Sequence, residues 1–386
     1  MPTSETVLVD FFYAQQVGHA IEALHHALAV HAADPTRQVS VLLNAATPTE
    51  LAGCCPFLTA CHAVDAPFLE PDPDADASLA HVPQEWDWVL DDPRRHQPFQ
   101  LDAFPGMRDH YAASDRRFTA RLGRRPLGYP PPSRARHQQL RLELPAGARA
   151  AADVRVAGLG DQVVTLMPAG SSTSSGYPSA RSWLDVLDGL HAALPGVRVV
   201  LVGRTVRDER TASGFERTGW DRLADHGAVA GTVLDVPLLE QLAVVERSAL
   251  FLAPHTGFGM AALAVGTPWL SVSGGRWFEW YANQVPFRSV VPDTRRFPCF
   301  SRFAADVATP DGDDGDRIPS MTRARIAEDL PRIVTAAGEL LRGAVPYEQC
   351  LDDYYRDLLR ALDGDASAIF SFDDVHREHL PRPVPD

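Results

Sequence analysis

The chain has 386 residues, 45% of them hydrophobic and 22% charged, which is the composition of a globular protein with room for two α/β domains. Its net charge of −14 argues against a general nucleic-acid binder and against a protein that coats anionic membranes. No apolar run is long enough to span a bilayer, and the first residues, MPTSETVLVDFF, lack the basic and apolar segments of a signal peptide. We therefore expect a cytoplasmic protein.

Cysteine usage also favours the cytoplasm. The chain has five cysteines, namely Cys54, Cys55, Cys61, Cys299 and Cys350. An odd set without a regular framework is typical of a reducing compartment. Three of them lie close to His62 in the sequence, which suggests a metal site, but adjacent cysteines do not easily share one tetrahedral ion. We expect buried thiols and no metal.

The first half of the chain alternates strands and helices. The predicted elements are a strand at Thr6–Phe11, a helix at Ala20–His31, a strand at Val39–Leu43, a short helix at Pro48–Cys55 and a strand at Trp86–Leu90. This order predicts a Rossmann-like domain over residues 1–145. Residues 94–141 form an irregular insert, which is either a functional loop or surface decoration.

A second βα series begins after Pro145. The predicted strands are Gln162–Met167, Val197–Val202, Ala249–Ala253 and Trp269–Val272, and the predicted helices are Ser179–Leu194, Pro237–Arg247, Arg323–Arg342 and Tyr347–Leu362. This order predicts a second Rossmann-like domain over residues 146–345, followed by a helical tail over residues 346–386.

The most informative stretch of this second series is ALFLAPHTGFGMAALAVGTPWLSVSGG, residues 249–275. It is typical of a strand, a turn, a helix and a second strand. Thr256 is placed to cap the helix, and Gly257 and Gly259 allow backbone N–H groups to approach a ligand. A helix N-terminus of this kind binds anions. The alternative is an ordinary βαβ crossover whose glycines serve packing.

Two segments carry a resemblance to a known family. LMPAGSSTSSGYPSARSWLDVLDGL (residues 166–190) and HTGFGMAALAVGTPWLSVSGG (residues 255–275) are similar to signatures of the heptosyltransferase-like glycosyltransferases of family 9. The resemblance covers roughly residues 7–65 and 163–275. It implies an α/β protein of GT-B fold, with two Rossmann-like domains facing a central cleft and with C-terminal helices. It also implies an acceptor-binding first domain and a second domain that binds a nucleotide sugar.

The sequence departs from the family's pattern at four positions. Gly176 stands where the family has a lysine for the donor phosphate, and His255 replaces the acid of its Asp-Thr-Gly motif. Met260 replaces a later histidine, and His19 replaces the aspartate that acts as general base. These departures favour a relative from natural-product glycosylation, acting on a small-molecule acceptor, over a lipopolysaccharide enzyme.

His19 is the candidate general base. It follows the first predicted strand, where natural-product glycosyltransferases of family 1 hold a catalytic histidine. Inverting transfer needs a hydroxyl made nucleophilic as the nucleotide leaves, and a histidine titrates in the range suited to that task. The resemblance implies an orienting aspartate after a later strand, and Asp91 and Asp92 are the candidates. The alternative is that His19 caps or packs at the helix start, as we expect His25, His26 and His31 to do on the exposed face of the helix.

The candidate donor-binding residues are Ser171, Ser172, Thr173, Arg181, Arg204, His255, Thr256, Gly257, Phe258 and Gly259. The hydroxyls and backbone N–H groups suit a diphosphate, and the two arginines supply the charge of the missing lysine. The alternatives are a solvated Arg181 and a flexible serine loop. The acidic run from Asp311 to Asp316 suggests calcium, but a solvated loop is the simpler interpretation.

The sequence therefore predicts an inverting, metal-independent glycosyltransferase, a hexosyl- or heptosyltransferase, without a cofactor. Its expected partners are a nucleotide sugar donor, a small-molecule acceptor and a second copy of the chain in a homodimer, with no nucleic acid and no membrane span. Two alternatives remain: a nucleotide-sugar epimerase of GT-B fold, and a sugar-nucleotide-binding protein without catalysis.

Overall fold

A computed structural model describes residues 4–12, 16–92, 95, 98–119, 138–171, 173–206, 214–273, 278–298 and 308–369. At Asp91, Phe99, Glu279 and Asp313 it describes the backbone but not the side chain. The chain divides into two compact units, with the boundary after Glu143.

The first unit is built on a parallel sheet. Its strands are β1 (Thr6–Phe11), β2 (Gln38–Asn44), β3 (Leu58–Val64) and β4 (Trp88–Asp91), and its helices are α1 (Val17–Ala33), α2 (Ala75–Ser78), α3 (Pro98–Ala103) and α4 (Pro105–Ser114). The strand order is β3-β2-β1-β4. Because β2 and β3 extend the sheet on one side of β1 and β4 on the other, the winding direction reverses between β1 and β4.

Two features of this unit depart from the sequence prediction. Strand β3 was not predicted, because its residues LTACHAV are small or polar and mostly half-buried. The insert predicted to be irregular begins with α3 and α4. Helix α4 escapes a hydrophobicity pattern because two of its four buried side chains at helical spacing are polar, His110 and Ser114. Residues 120–137 of the insert lie outside the described residues.

The second unit carries a larger parallel sheet. Its strands are β5 (Val163–Leu166), β6 (Arg198–Gly203), β7 (Val229–Leu234), β8 (Leu250–Pro254), β9 (Trp269–Val272) and β10 (Phe287–Val290), with a small antiparallel pair, β11 (Thr309–Pro310) and β12 (Asp316–Arg317). Its helices are α5 (Ala146–Val156), α6 (Ala180–Ala193), α7 (Arg217–Ala224), α8 (Leu238–Glu246), α9 (Gly257–Ala264), α10 (Arg323–Leu341) and α11 (Tyr347–Ala361). The strand order is β10-β9-β8-β5-β6-β7, so the winding reverses between β5 and β8.

Helices α6 and α10 pack together on the core of this sheet. Trp183, Leu187 and Leu190 of α6 and Ile326 and Ile333 of α10 are all buried there. Helix α11, which the sequence assigns to a separate tail, packs on β10 instead, with the ring of its Tyr354 5.7 Å from that of Phe287. No helix among the described residues is long and apolar enough to cross a membrane.

Candidate functional site

The loops after β5 and β8 meet at the point where the second sheet reverses its winding. The two strands pair directly, so their carboxyl ends lie side by side. A Cβ atom on Gly170 would lie 3.0 Å from Cγ2 of Thr256 and 2.8 Å from the hydroxyl of Tyr177. A larger residue here would require Tyr177 and Thr256 to shift, whereas glycine allows the close approach. The structure thus joins the two segments that the sequence singles out, in the place where open α/β sheets bind ligands.

Thr256 occupies the N-cap position of α9, as predicted, but its side chain does not make the expected capping hydrogen bond. The residue is 5% exposed. Its Oγ1 atom is buried with no hydrogen-bond partner among the residues that the structure describes. A buried hydroxyl without a partner costs about 1–3 kcal/mol, so a ligand oxygen at this position would recover that free energy.

The first turn of α9 presents backbone donors beside that hydroxyl. The N–H of Gly259 already donates to the carbonyl of Thr256, at 3.0 Å. The N–H groups of Gly257 and Phe258 precede it in the first turn, where the helix offers no carbonyl acceptor. Together with the dipole of α9, these groups favour an anion such as a phosphate.

The last two predicted residues of this turn have a packing role. A Cβ on Gly259 would lie 2.2 Å from the indole of Trp269, so this glycine is required for packing of α9 on β9. Phe258 is 7% exposed and its ring lies 5.5 Å from that of Phe251. Gly259 and the side chain of Phe258 therefore contribute to the packing of α9, and the binding role predicted for this turn stays a prediction.

His255 immediately precedes the N-cap and belongs to an aromatic cluster. Its ring stacks on Tyr281, with centroids 5.6 Å apart and planes 8° from parallel, and lies 4.4 Å from the ring of Trp280. The residue keeps partial exposure, but burial of the ring lowers its pKa to about 3. His255 is therefore neutral near pH 7, unlike the acid of the family motif.

The loop after β5 is anchored at its start. The indole Nε1 of Trp183 donates to the carbonyl of Pro168 at 2.9 Å. Ser171 and Thr173 are exposed, and Oγ1 of Thr173 lies 3.1 Å from Oγ of Ser175. Ser172 lies outside the described residues.

Arg181 lies on an acidic partner. Its Nε atom is 3.5 Å from a carboxylate oxygen of Asp314, and Oγ of Ser179 donates to the same side chain at 3.0 Å. Asp311 in turn accepts from the backbone N–H of Arg323 at the start of α10. The sequence predicted that the acidic run is a solvated loop, and this prediction was wrong. The run ties α6 to α10, because its carboxylates meet the N-terminal residues of both helices.

Arg204 follows β6, and its Nε atom lies 4.0 Å from Asp235, which follows β7. Asp235 has a positive φ of 58° and accepts from the backbone N–H of Thr205 at 2.8 Å and from its hydroxyl at 2.5 Å. Burial raises the pKa of Asp235, but the hydrogen bonds from Thr205 and Val206 outweigh it and keep the pKa low. A carboxylate thus fixes the start of the loop that carries Arg204.

In the first unit, His19 is the third residue of α1, so it lies just beyond the carboxyl end of β1. Asp92 directly follows the neighbouring strand β4, is fully buried, and donates its backbone N–H to the carbonyl of Asp10 at 3.0 Å. The side chain of Asp91 lies outside the described residues.

His25 and His26 of α1 are 4% and 3% exposed, so the prediction that they lie on an exposed face was wrong. Helix α1 is buried on most of its circumference. The presence of several histidines suggested a solvent-exposed face, which the structure does not have.

Sequence reasoning missed a polar cluster at the end of β1. Nε2 of His110 lies 3.0 Å from Oδ1 of Asp10, and Oγ of Ser114 donates to Oδ2 at 2.6 Å. All three side chains are fully buried, and His110 stacks on Phe12 with a centroid distance of 3.8 Å. Two signals could have found the cluster: Asp10 interrupts the apolar run VLVDFF, and His110 and Ser114 are spaced to share one helix face.

A separate cavity of about 440 Å³ lies between β10, α10 and α11. Arg288 in its wall lies 2.8 Å from Glu339 and 2.7 Å from Asp353, and Arg356 also pairs with Asp353. The other two arginines of its wall, Arg332 and Arg360, both pair with Asp357. Because each arginine already has a carboxylate partner within the chain, the cavity does not have the character of an anion site. Among all the described residues, no group of three or more His, Cys, Asp or Glu side chains is placed to hold a metal ion.

Comparisons with known proteins support the fold. No family model matches the chain, and no curated protein is significantly similar to it. Among solved structures, a glycosyl transferase of family 9 from Veillonella parvula shares 13% identity over 89% of this chain and 99% of its own, with a TM-score of 0.57. The ADP-heptose lipopolysaccharide heptosyltransferase II of Escherichia coli shares 12% over 88% and 100%, with a TM-score of 0.54. At these identities the similarity shows the fold, and the predicted α/β GT-B fold is confirmed.

Proposed function

We propose that the protein is a glycosyltransferase that takes its sugar from a nucleotide diphosphate. The observation that carries this proposal is the start of α9, where a buried threonine hydroxyl and backbone N–H groups converge beside the loop after β5. The fold shared with family 9 enzymes supports it. The diphosphate would bind at Thr256, Gly257 and Phe258, with the nucleoside toward Arg204.

The transfer itself needs three contributions. The N–H groups and dipole of α9 would stabilise the negative charge that grows on the diphosphate as its bond to the anomeric carbon breaks. An acceptor hydroxyl bound by the first unit would attack that carbon and invert it, while His19 takes the hydroxyl proton, helped by Asp91 or Asp92. We propose that this proceeds without a metal, on a small natural-product acceptor in the cytoplasm.

One observation favours a second candidate, a nucleotide-sugar-binding protein without turnover. Arg181 is one of the two arginines predicted to supply positive charge to the diphosphate, and it forms an ion pair with Asp314 of the same chain. Binding of a nucleotide sugar with neither transfer nor hydrolysis would select this candidate.

The experiment that tests the proposal compares Thr256→Val with Thr256→Ser. Valine keeps the shape of threonine but removes the hydroxyl, whereas serine retains it. We expect Thr256→Val to weaken nucleoside diphosphate binding by about tenfold or more, since a hydrogen bond to a charged group contributes about 1.5–3 kcal/mol. Isothermal titration of UDP, ADP, GDP and dTDP measures this. Equal affinities of Thr256→Val and the wild type would contradict a diphosphate at this hydroxyl.

A further inference from the structure

The aromatic cluster around His255 is partly exposed at two of its described residues. The rings of Trp269, Tyr281, Phe287 and Tyr354 are buried in this part of the described structure. His255 and Trp280 are the two residues that retain partial exposure, although the indole Nε1 of Trp280 is buried. Trp280 contacts His255, the residue directly before the N-cap of α9, so a partly exposed tryptophan lies one side chain away from the proposed diphosphate site.

The neighbours of Trp280 hold it in a fixed place. Tyr281 is fully buried, its hydroxyl donates to Oγ of Ser289 at 3.1 Å, and its ring stacks on Phe287 at 4.5 Å. Trp280 is the preceding residue in the same short 3-10 turn, Glu279–Tyr281. Because the adjacent residue is locked into the core, the backbone that carries the indole has little freedom. The backbone at Trp280 is therefore in place before a ligand binds, which lowers the entropy cost of association.

The two sides of the helix N-terminus differ in character. On the β5 side lie Gly170 and the exposed hydroxyls of Ser171 and Thr173, and beyond them the polar residues that follow β6 and β7. On the β9 side lie His255 and Trp280. In a nucleotide sugar, the nucleoside is attached to one phosphate and the sugar to the other. With the diphosphate at the N-terminus of α9, these two groups extend in opposite directions. If the nucleoside extends toward Arg204, past β5, the other group extends toward β9.

We propose that Trp280 is the surface on which the sugar of the donor packs. A sugar ring has an apolar C–H face that an indole can cover, and a polar rim of hydroxyls. The imidazole beside the indole is neutral near pH 7, so it neither attracts nor repels the diphosphate charge. This inference rests on the proposed function and extends it, because it assigns a specificity-determining residue to the sugar.

The test uses Trp280→Leu, with Trp280→Phe as the conservative variant. Titration compares UDP, ADP, GDP and dTDP with UDP-glucose, ADP-glucose, GDP-mannose and dTDP-glucose. We expect Trp280→Leu to bind the preferred nucleotide sugar about three- to tenfold more weakly while its affinity for the matching nucleoside diphosphate stays within about twofold. Trp280→Phe retains a ring and should recover most of the loss. The matched control is Trp88→Leu, the same substitution at a partly buried tryptophan of β4 in the first unit. We expect it to leave the affinities for both ligands unchanged.

The outcomes separate this inference from the proposed function. Wild-type affinity of Trp280→Leu for the nucleotide sugar would overturn the inference and leave the proposed function in place. Equal losses for the nucleotide sugar and for the nucleoside diphosphate, in a variant whose urea unfolding matches that of the wild type, would also overturn it, because a surface that packs only the sugar does not affect binding of the sugar-free diphosphate. Absence of binding by all four nucleoside diphosphates to the wild type would overturn both.

Discussion

The environment of His255 shifts this side chain far from its ordinary state in water. Burial lowers its pKa to about 3, and its neighbours in the cluster are aromatic rings that cannot stabilise an imidazolium by ion pairing. In the unfolded chain the same histidine would titrate near 6.5. Between these two values the unfolded state binds more protons than the folded state, so the free energy of unfolding falls as the pH falls from 6.5 toward 3.

A variant at this position should remove that pH dependence. We expect the wild type to lose roughly 2–3 kcal/mol more than His255→Asn between pH 7 and pH 4.5. Urea unfolding at the two pH values measures the difference, and His191→Asn, at an exposed position of α6, serves as the control. Parallel losses in the wild type and in His255→Asn would show that His255 already takes up its proton in the folded state.

At the scale of elements, the cluster at the end of β1 ties that strand to α4. Asp10 has both carboxylate oxygens engaged, one by His110 and one by Ser114, with no exposure to water. Removing the imidazole would leave a buried carboxylate short of a partner, which is costly. The contact also supports Phe12, just ahead of the segment that leads into α1.

His110→Gln and His110→Ala separate the hydrogen bond from the rest of this contact. Glutamine places a donor where Nε2 of histidine lies, whereas alanine places none there. We expect His110→Ala to lower the free energy of unfolding by about 3 kcal/mol or more, and His110→Gln by clearly less. Equal destabilisation of the two variants in urea unfolding would mean that packing on Phe12, and not the bond to Asp10, stabilises this corner.

The elements that could be predicted from sequence are strands with an unbroken apolar run and helices with apolar residues at helical spacing. The strand Trp269–Val272 has the predicted bounds, and α10 and α11 begin where predicted, at Arg323 and Tyr347. Strand β10 was missed because Arg288 and Ser289 break the apolar run; Arg288 pairs there with Glu339 and Asp353. Contacts of this kind join residues far apart in the sequence, so a local pattern does not reveal them.

The candidate site could be predicted in part. The close approach of Gly170 to Thr256 follows from strand order, which the repeated βα pattern indicates. The pairing of Arg181 with Asp314 and the cluster of His110 with Asp10 do not follow from it, because each depends on tertiary packing between separate elements. The roles of His19 and of the aspartates after β4 stay predictions.

On the scale of the whole molecule, the chain has a GT-B fold at 12–13% identity to the solved structures. A fold survives at this identity because its core requires apolar residues at the right period and not particular side chains. The predicted homodimer stays a prediction.

The central claim is that a nucleoside diphosphate binds the second unit at the start of α9. Hydrogen–deuterium exchange with and without a saturating nucleoside diphosphate tests it most directly, because phosphate oxygens that accept from backbone N–H groups slow their exchange. The account predicts slowed exchange at residues 256–260 and at the loop that follows β5, with this protection reduced in Thr256→Val. Protection confined to residues 4–119 of the first unit, or no protection in either unit, would contradict it.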